Sequence, residues 1–130
     1  MATVATRFLQ ALTNFQASTI DANVRTIRSY AVGDFADQVD TFFGPQTVAT
    51  LRKATAKSTG HVQPVFVGSL SGGTASVFGV VNESVTNSTN TSPRSEVVRI
   101  DVQMIDTKSG WKVNRVDILR SPGTSPFATP

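Results

Sequence analysis

Few side chains in this 130-residue chain can move a proton. His61 is its only histidine and Tyr30 its only tyrosine. General acid-base chemistry needs a group held against the substrate with a pKa tuned towards the working pH, and each candidate is weighed against that requirement. His61 follows Gly60 at an expected strand start, where an exposed or capping histidine is commoner than a base. Tyr30 shares a helical stripe with Ile27, which makes it a half-buried core residue before it is a hydrogen-bond donor into a pocket. Asp101 alternates with Arg99 along one strand, and Arg115 alternates with Asp117 along the next. With a turn over Asp106-Thr107-Lys108-Ser109-Gly110, Ile105 faces Trp111, Gln103 faces Val113, Asp101 faces Arg115, Arg99 faces Asp117 and Val97 faces Leu119. The same register sets Val98 against Ile118, Ile100 against Val116, Val102 against Asn114 and Met104 against Lys112, so one face is mostly apolar and the other mostly polar. Asp101, Arg115, Arg99 and Asp117 are therefore expected to form structural ion pairs. An acid with an arginine opposite has its pKa lowered, which makes it a poorer base near neutral pH.

The elements that must position these groups change in character along the chain. Val4, Phe8, Ala11, Leu12 and Phe15 recur at helical spacing. Ile20, Val24, Ile27 and Tyr30 define a second helix with Asp21 as its cap, and Gly33 is expected to close it. Asp34 is placed to cap a third helix bearing Phe35, Val39, Phe42 and Phe43, which Gly44-Pro45 ends. A short helix with Val48 and Leu51 follows. From His61 the texture is that of strands. One is expected over Val62 to Leu70 with Pro64 near its start, then a tight turn at Ser71-Gly72-Gly73 and a strand from Thr74 to about Glu83. Ser84 to Ser95 reads as a mobile connection into the last hairpin; Asn82 just before it and Asn87 and Asn90 within it each open an Asn-x-Ser/Thr sequon. The phenylalanines read as core that lids a sheet, with Phe35, Val39, Phe42, Val98, Ile100 and Ile118 together.

Composition bounds the function. One domain is expected over 1–121, with helices about 3–55, a sheet about 61–120 and a flexible tail at 122–130. Cysteine is absent, which excludes disulfides, zinc-thiolate clusters and thiol nucleophiles. The net charge of +3 comes from scattered Lys and Arg with one Trp and one Tyr, too little for a nucleic-acid surface. No apolar run is long enough to span a bilayer and no signal-peptide pattern opens the chain, so a soluble protein or the soluble part of a longer one is expected. Metal-ligand spacing, a Gly-rich phosphate loop and a Ser-His-Asp arrangement are all missing, and no cofactor is expected.

Helices followed by an antiparallel meander describe an α+β domain, its helices packed on a curved antiparallel sheet of about four strands. On the residues Asn14-Phe15 to Asp21, Ala31-Val32-Gly33-Asp34-Phe35-Ala36-Asp37-Gln38, Val81-Asn82-Glu83-Ser84-Val85-Thr86-Asn87, Ser92-Pro93-Arg94 and Gly110-Trp111-Lys112-Val113, the chain resembles the Mce-associated protein family of actinobacteria. The resemblance implies a domain like nuclear transport factor 2 and the SnoaL-like group, a cystatin-like roll. It further implies an accessory role beside an Mce-type lipid import system at the extracytoplasmic face of the inner membrane. Partners would be envelope proteins of that complex, an apolar or lipid ligand, or a second copy. Attachment would run through an N-terminal anchor that this sequence does not carry. Two alternatives follow from the same scaffold. One is a structural component of a type IV secretion or conjugation channel. The other is a small SnoaL-like isomerase or hydrolase, in which an Asp-Arg-Asp group could activate water for epoxide opening. Because each acid and base already has a structural task, the expectation is binding without catalysis.

Overall fold

The computed structural model describes residues 1–88, 92 and 94–119. The expected connection at Ser84 to Ser95 falls partly outside them, and Asn90 and the expected tail at 122–130 fall outside entirely. Four helices come first: α1 (Ala2–Thr13), α2 (Ile20–Tyr30), α3 (Gly33–Phe42) and α4 (Pro45–Lys53). Strands follow as β2 (Lys57–Val62), β3 (Phe66–Ser71), β4 (Thr74–Thr86), β5 (Arg94–Thr107) and β6 (Gly110–Leu119), with the two-residue β1 (Phe15–Gln16) after α1. The α+β class is as expected, but the sheet has six strands rather than four and begins before His61. Its order is β1-β2-β4-β5-β6, with β3 beside β4, and every pairing is antiparallel.

The long strand β4 organises the sheet. Its second half pairs with β2, from Lys57 opposite Thr86 to Val62 opposite Val81, and its first half pairs with β3, from Phe66 opposite Phe78 to Ser71 opposite Thr74. The single strand expected over Val62 to Leu70 is thus two, broken where Pro64 has no N–H to give to a ladder. Gly72 and Gly73, with φ of 52° and 89°, close the β3–β4 hairpin in the two-residue turn that favours glycine at both places. β4 and β5 pair as far as Val85 opposite Arg94, so strand consumes part of the expected loop.

The last hairpin corrects the charge-based register. Its turn is Lys108-Ser109, tighter than expected: Thr107 Oγ1 accepts the Ser109 N–H at 3.1 Å and donates to the Gly110 carbonyl at 2.7 Å. Trp111 faces Asp106 and Val113 faces Met104; the register then shifts at Asn114, and Arg115 faces Gln103, Asp117 faces Asp101, Ile118 faces Ile100 and Leu119 faces Arg99. The cause lies in spacing. Val113 and Val116 are both buried, and three residues apart on a strand they reach the same face only if one residue between them bulges. The Val113 carbonyl there accepts the Val32 N–H at 2.9 Å, which fixes the α2–α3 link against β6.

Three local expectations also change. Asp21 and Asp34 lie in the first turns of α2 and α3 without a side-chain cap bond, so they favour the positive helix end through charge alone. Gly33 does not close α2, which ends at Tyr30; with φ of 55° it starts α3. Phe42 is 38% exposed, while Phe43 turns inward at 5% and meets Phe15 edge-on at 6.0 Å. Phe35, Val39, Val98 and Ile100 do share the core, with Ile118 at its margin.

Helix α1 is fastened to the sheet at its end. Asn14 Nδ2 donates to the Gly60 carbonyl and Asn14 Oδ1 accepts the Gly60 N–H, both at 3.0 Å, while the buried Ser58 hydroxyl donates to the Thr13 carbonyl at 2.7 Å. A side chain cannot intervene: a Cβ on Gly60 would lie 2.0 Å from Thr13 Oγ1 and 2.5 Å from Thr13 Cβ.

Two substitutions test this packing. Ile100→Ala is expected to cost about 2–5 kcal/mol and Phe42→Ala within about 0.5 kcal/mol, read as denaturation midpoints at an unchanged slope. Asn14→Ala should cost about 1–3 kcal/mol by leaving both Gly60 groups without their partner, and Asn14→Asp should not restore it, because a carboxylate cannot donate to the Gly60 carbonyl.

Candidate functional site

In a layered α+β domain the place for a substrate is the concavity between helices and sheet. Here side chains fill it. Phe8 of α1, Ile27 of α2, Phe35 and Val39 of α3, Val77 and Val81 of β4, and Ile100, Val102 and Met104 of β5 are each no more than 1% exposed. Phe8 is wedged edge-on between Phe35, at 5.3 Å and 89°, and Tyr30, at 5.7 Å and 65°. These rings and branched chains occupy the space between helices and sheet.

The candidate acid-base groups are dispersed around that core. Tyr30 is half-buried with its ring against Phe8. His61 is exposed on β2, opposite Asn82, on the sheet face away from the helices. Asp101, half-buried, lies on the same outer face between Phe78 and Asp117. The expected pairs Asp101–Arg115 and Arg99–Asp117 are not opposite one another but diagonal, a consequence of the bulge at Asn114. Arg115 instead reaches along its own strand to Asp117, Nε to Oδ2 at 3.5 Å. Directly opposed like charges destabilise a pair of strands, and the diagonal arginines on either side offset that.

Sequence reasoning passed over Glu83. It is 2% exposed, on the helix side of β4 beside Val81, opposite Gly60 on one flank and Glu96 on the other, with Arg94 two residues along on the face of Glu96. The alternation Val81-x-Glu83-x-Val85 was the available signal, since it points Glu83 inward. Glu83, Arg94 and Glu96 are all engaged with polar partners, which is what a carboxylate out of water requires. Among the described residues, no group of three or more His, Cys, Asp or Glu is arranged to hold a metal ion.

A groove of about 630 Å³ lies on the outside of the helical layer, among α2, α3 and α4. Val24, Phe43 and Val48 supply its apolar surface. Two ion pairs span it, Arg28 to Asp40 and Arg52 to Asp21, tying α2 to α3 and α4 to α2. Arg25, on the same helix face, pairs with no acid among the described residues. The groove thus carries three guanidiniums and two carboxylates around an apolar floor, a lining suited to a peptide that brings one carboxylate and an apolar side chain.

No protein-family model matches the chain, and no curated protein sequence matches it. Solved structures do. An IcmL-like type IV secretion system protein from Legionella pneumophila is similar at a TM-score of 0.76 and 11% identity, over 95% of this chain and 94% of that one. The periplasmic domain of DotI is similar at 0.71 and 7% identity, over 92% and 93%. CagV, a VirB8 homologue of a type IV secretion system from Helicobacter pylori, is similar at 0.66 and 10% identity, over 90% and 94%. A candidate aromatic ring hydroxylase from Novosphingobium aromaticivorans is similar at 0.57 and 13% identity, over 78% of each chain. The shared fold is that of the nuclear transport factor 2-like domains: helices against a curled antiparallel sheet. None of these is described as an Mce-associated or lipid-import protein, and at these identities the likeness is one of fold. No helix of the described residues is long and apolar enough to cross a membrane.

The ion pairs across the groove are exposed, so a double-mutant cycle of Arg28→Ala with Asp40→Ala should give a coupling of about 0–1 kcal/mol that fades in about 1 M salt. A coupling that persists at high salt would mean that the pair is held out of water.

Proposed function

We propose that this chain is a noncatalytic, extracytoplasmic domain of an envelope secretion complex of the type IV kind, acting by binding other proteins of that complex. The observation that carries the reading is the filled concavity: Phe8, Phe35, Ile100 and Met104 occupy the space a substrate would need, and His61 and Asp101 stand outside it on the opposite face of the sheet. Supporting it, the secretion proteins named above share the fold over nearly the whole chain. Binding then falls to the surface, where the groove of α2, α3 and α4 presents Arg25 beside Val24 and Val48. The lipid import reading would use the same surface for other envelope partners. An enzyme reading draws on the hydroxylase-like neighbour and needs a reacting group inside a pocket, where this chain has hydrocarbon.

The test is cross-linking in the native host followed by purification of the chain and identification of what comes with it. Secretion-channel components are expected, and recovery should fall about tenfold or more with Arg25→Glu, because a single reversed charge in a contact costs on the order of 1.4 kcal/mol or more. Recovery of lipid-import components in their place would overturn the secretion reading. Steady turnover of an epoxide or ketosteroid that disappears in Asp101→Asn or His61→Ala would overturn the noncatalytic one.

A further inference from the structure

Strand β3 is the least protected part of the sheet. It pairs with β4 on one side, and among the described residues its other side meets no strand. Its side chains are uncovered on both faces: Phe66 is 64% exposed, Leu70 63% and Val67 44%. Val67 and Leu70 lie opposite the buried Val77 and Ala75, on the helix side, whereas Phe66 lies opposite Phe78 on the outer side. No Lys, Arg, Asp or Glu occurs anywhere between His61 and Glu83. Sheets ordinarily protect such an edge with inward or outward charge. This one is limited in length by Pro64 and by the bulge between Val67 and Ser69, yet carries no charge at all.

We propose that β3 pairs antiparallel with β3 of a second copy across a two-fold axis, joining two sheets into one. An occupant of this edge must be extended and uncharged, must bring apolar side chains to both faces and must have its own backbone groups open. The chain supplies one such segment itself, and a two-fold axis sets the same patch against itself without further design. The net charge of +3 opposes association at long range, but the uncharged stretch keeps like charges out of the contact. Three side chains and one strand edge fall short of the roughly 800 Å² per partner of a stable interface, so the dimer is weak and forms where copies are gathered. The inference rests on the strand edge alone and stands apart from the secretion reading.

Sedimentation velocity and amide hydrogen exchange from about 10 µM to about 1 mM cover the range in which a weak dimer forms. The expected result is an average mass that rises towards the dimer while the amides of β3 exchange more slowly. Phe66→Lys with Leu70→Lys sets charges against their own copies on both faces and should weaken association about tenfold or more, with the thermal midpoint unchanged because both sites are exposed. Gln103→Lys, on the exposed outer face of β5, should change nothing. A monomer throughout, or a dimer indifferent to the lysine pair, overturns the proposal. So does slowing of the β3 amides only when an uncharged extended peptide is added, which would make the occupant a partner's strand.

Discussion

The side-chain amide of Asn14 takes the place of a strand partner, and the helical layer depends on it. Its oxygen and nitrogen satisfy both backbone groups of Gly60, as a paired strand would, and so convert the end of α1 into an extension of the sheet. Gly60 has no alternative residue there, because Thr13 lies where a Cβ would be. Farther along, Leu9 Cδ1 stands 2.4 Å from where a Cβ on Gly79 would project, so two glycines on neighbouring strands let the helix lie flat on the sheet. From that position Phe8 can reach both Phe35 and Tyr30, and the three rings set the spacing of α1, α2 and α3. The local bond, the close approach and the aromatic cluster are one arrangement seen at three distances.

The register of the last hairpin shows which of two signals in a strand prevails. Charge complementarity put Asp101 opposite Arg115, for a gain of roughly 0.2–1 kcal/mol per pair. That register left Val113 on the polar face. Burying a valine contributes about 1.5–3 kcal/mol, so one bulge at Asn114 outweighs two favourable charge pairs, even with Asp101 brought opposite Asp117. The spacing of Val113 and Val116 contained the answer, since an odd interval between two apolar positions of a strand calls for an extra residue. Asn114 and its neighbour in space Gly33 meet at that bulge, 3.7 Å from a notional Cβ, where the helices join β6.

Much of the architecture was legible because it follows from strong local rules: helical stripes at Phe8 and Leu12, Ile20 and Ile27, and Phe35 and Val39, and a two-glycine hairpin at Gly72-Gly73. What escaped depends on neighbours distant in sequence. Phe42 and Phe43 are adjacent, and only the location of Phe15 decides which one turns inward. Strand β2 begins at Lys57, in a stretch with no apolar alternation, because Asn14, Thr13 and β4 supply its partners. The candidate site was less legible still. His61, Tyr30 and Asp101 are chemically the most versatile groups, yet the fold leaves His61 and Asp101 on the outer face of the sheet and Tyr30 at the edge of the core, while the buried carboxylate, Glu83, lay inside an alternating strand. The groove joins residues of three helices, from Asp21 to Arg52, and no single segment announces it.

A pocket and a packed interior are competing uses of the same volume in this fold. Emptying the concavity to the roughly 300 Å³ that a small ligand needs would cost, at about 24 cal/mol per Å³, some 7 kcal/mol. That is comparable with the whole stability of a domain this size, about 5–15 kcal/mol. A chain that binds substrate inside must recover the loss with a larger sheet, a bound ligand or added elements. This chain instead fills the cone with Phe8, Phe35, Ile100 and Met104 and leaves its unsatisfied surface outside, in the charged groove of the helices and on the uncharged edge of β3. The proposed recognition of other proteins draws on that outer surface rather than on an internal pocket.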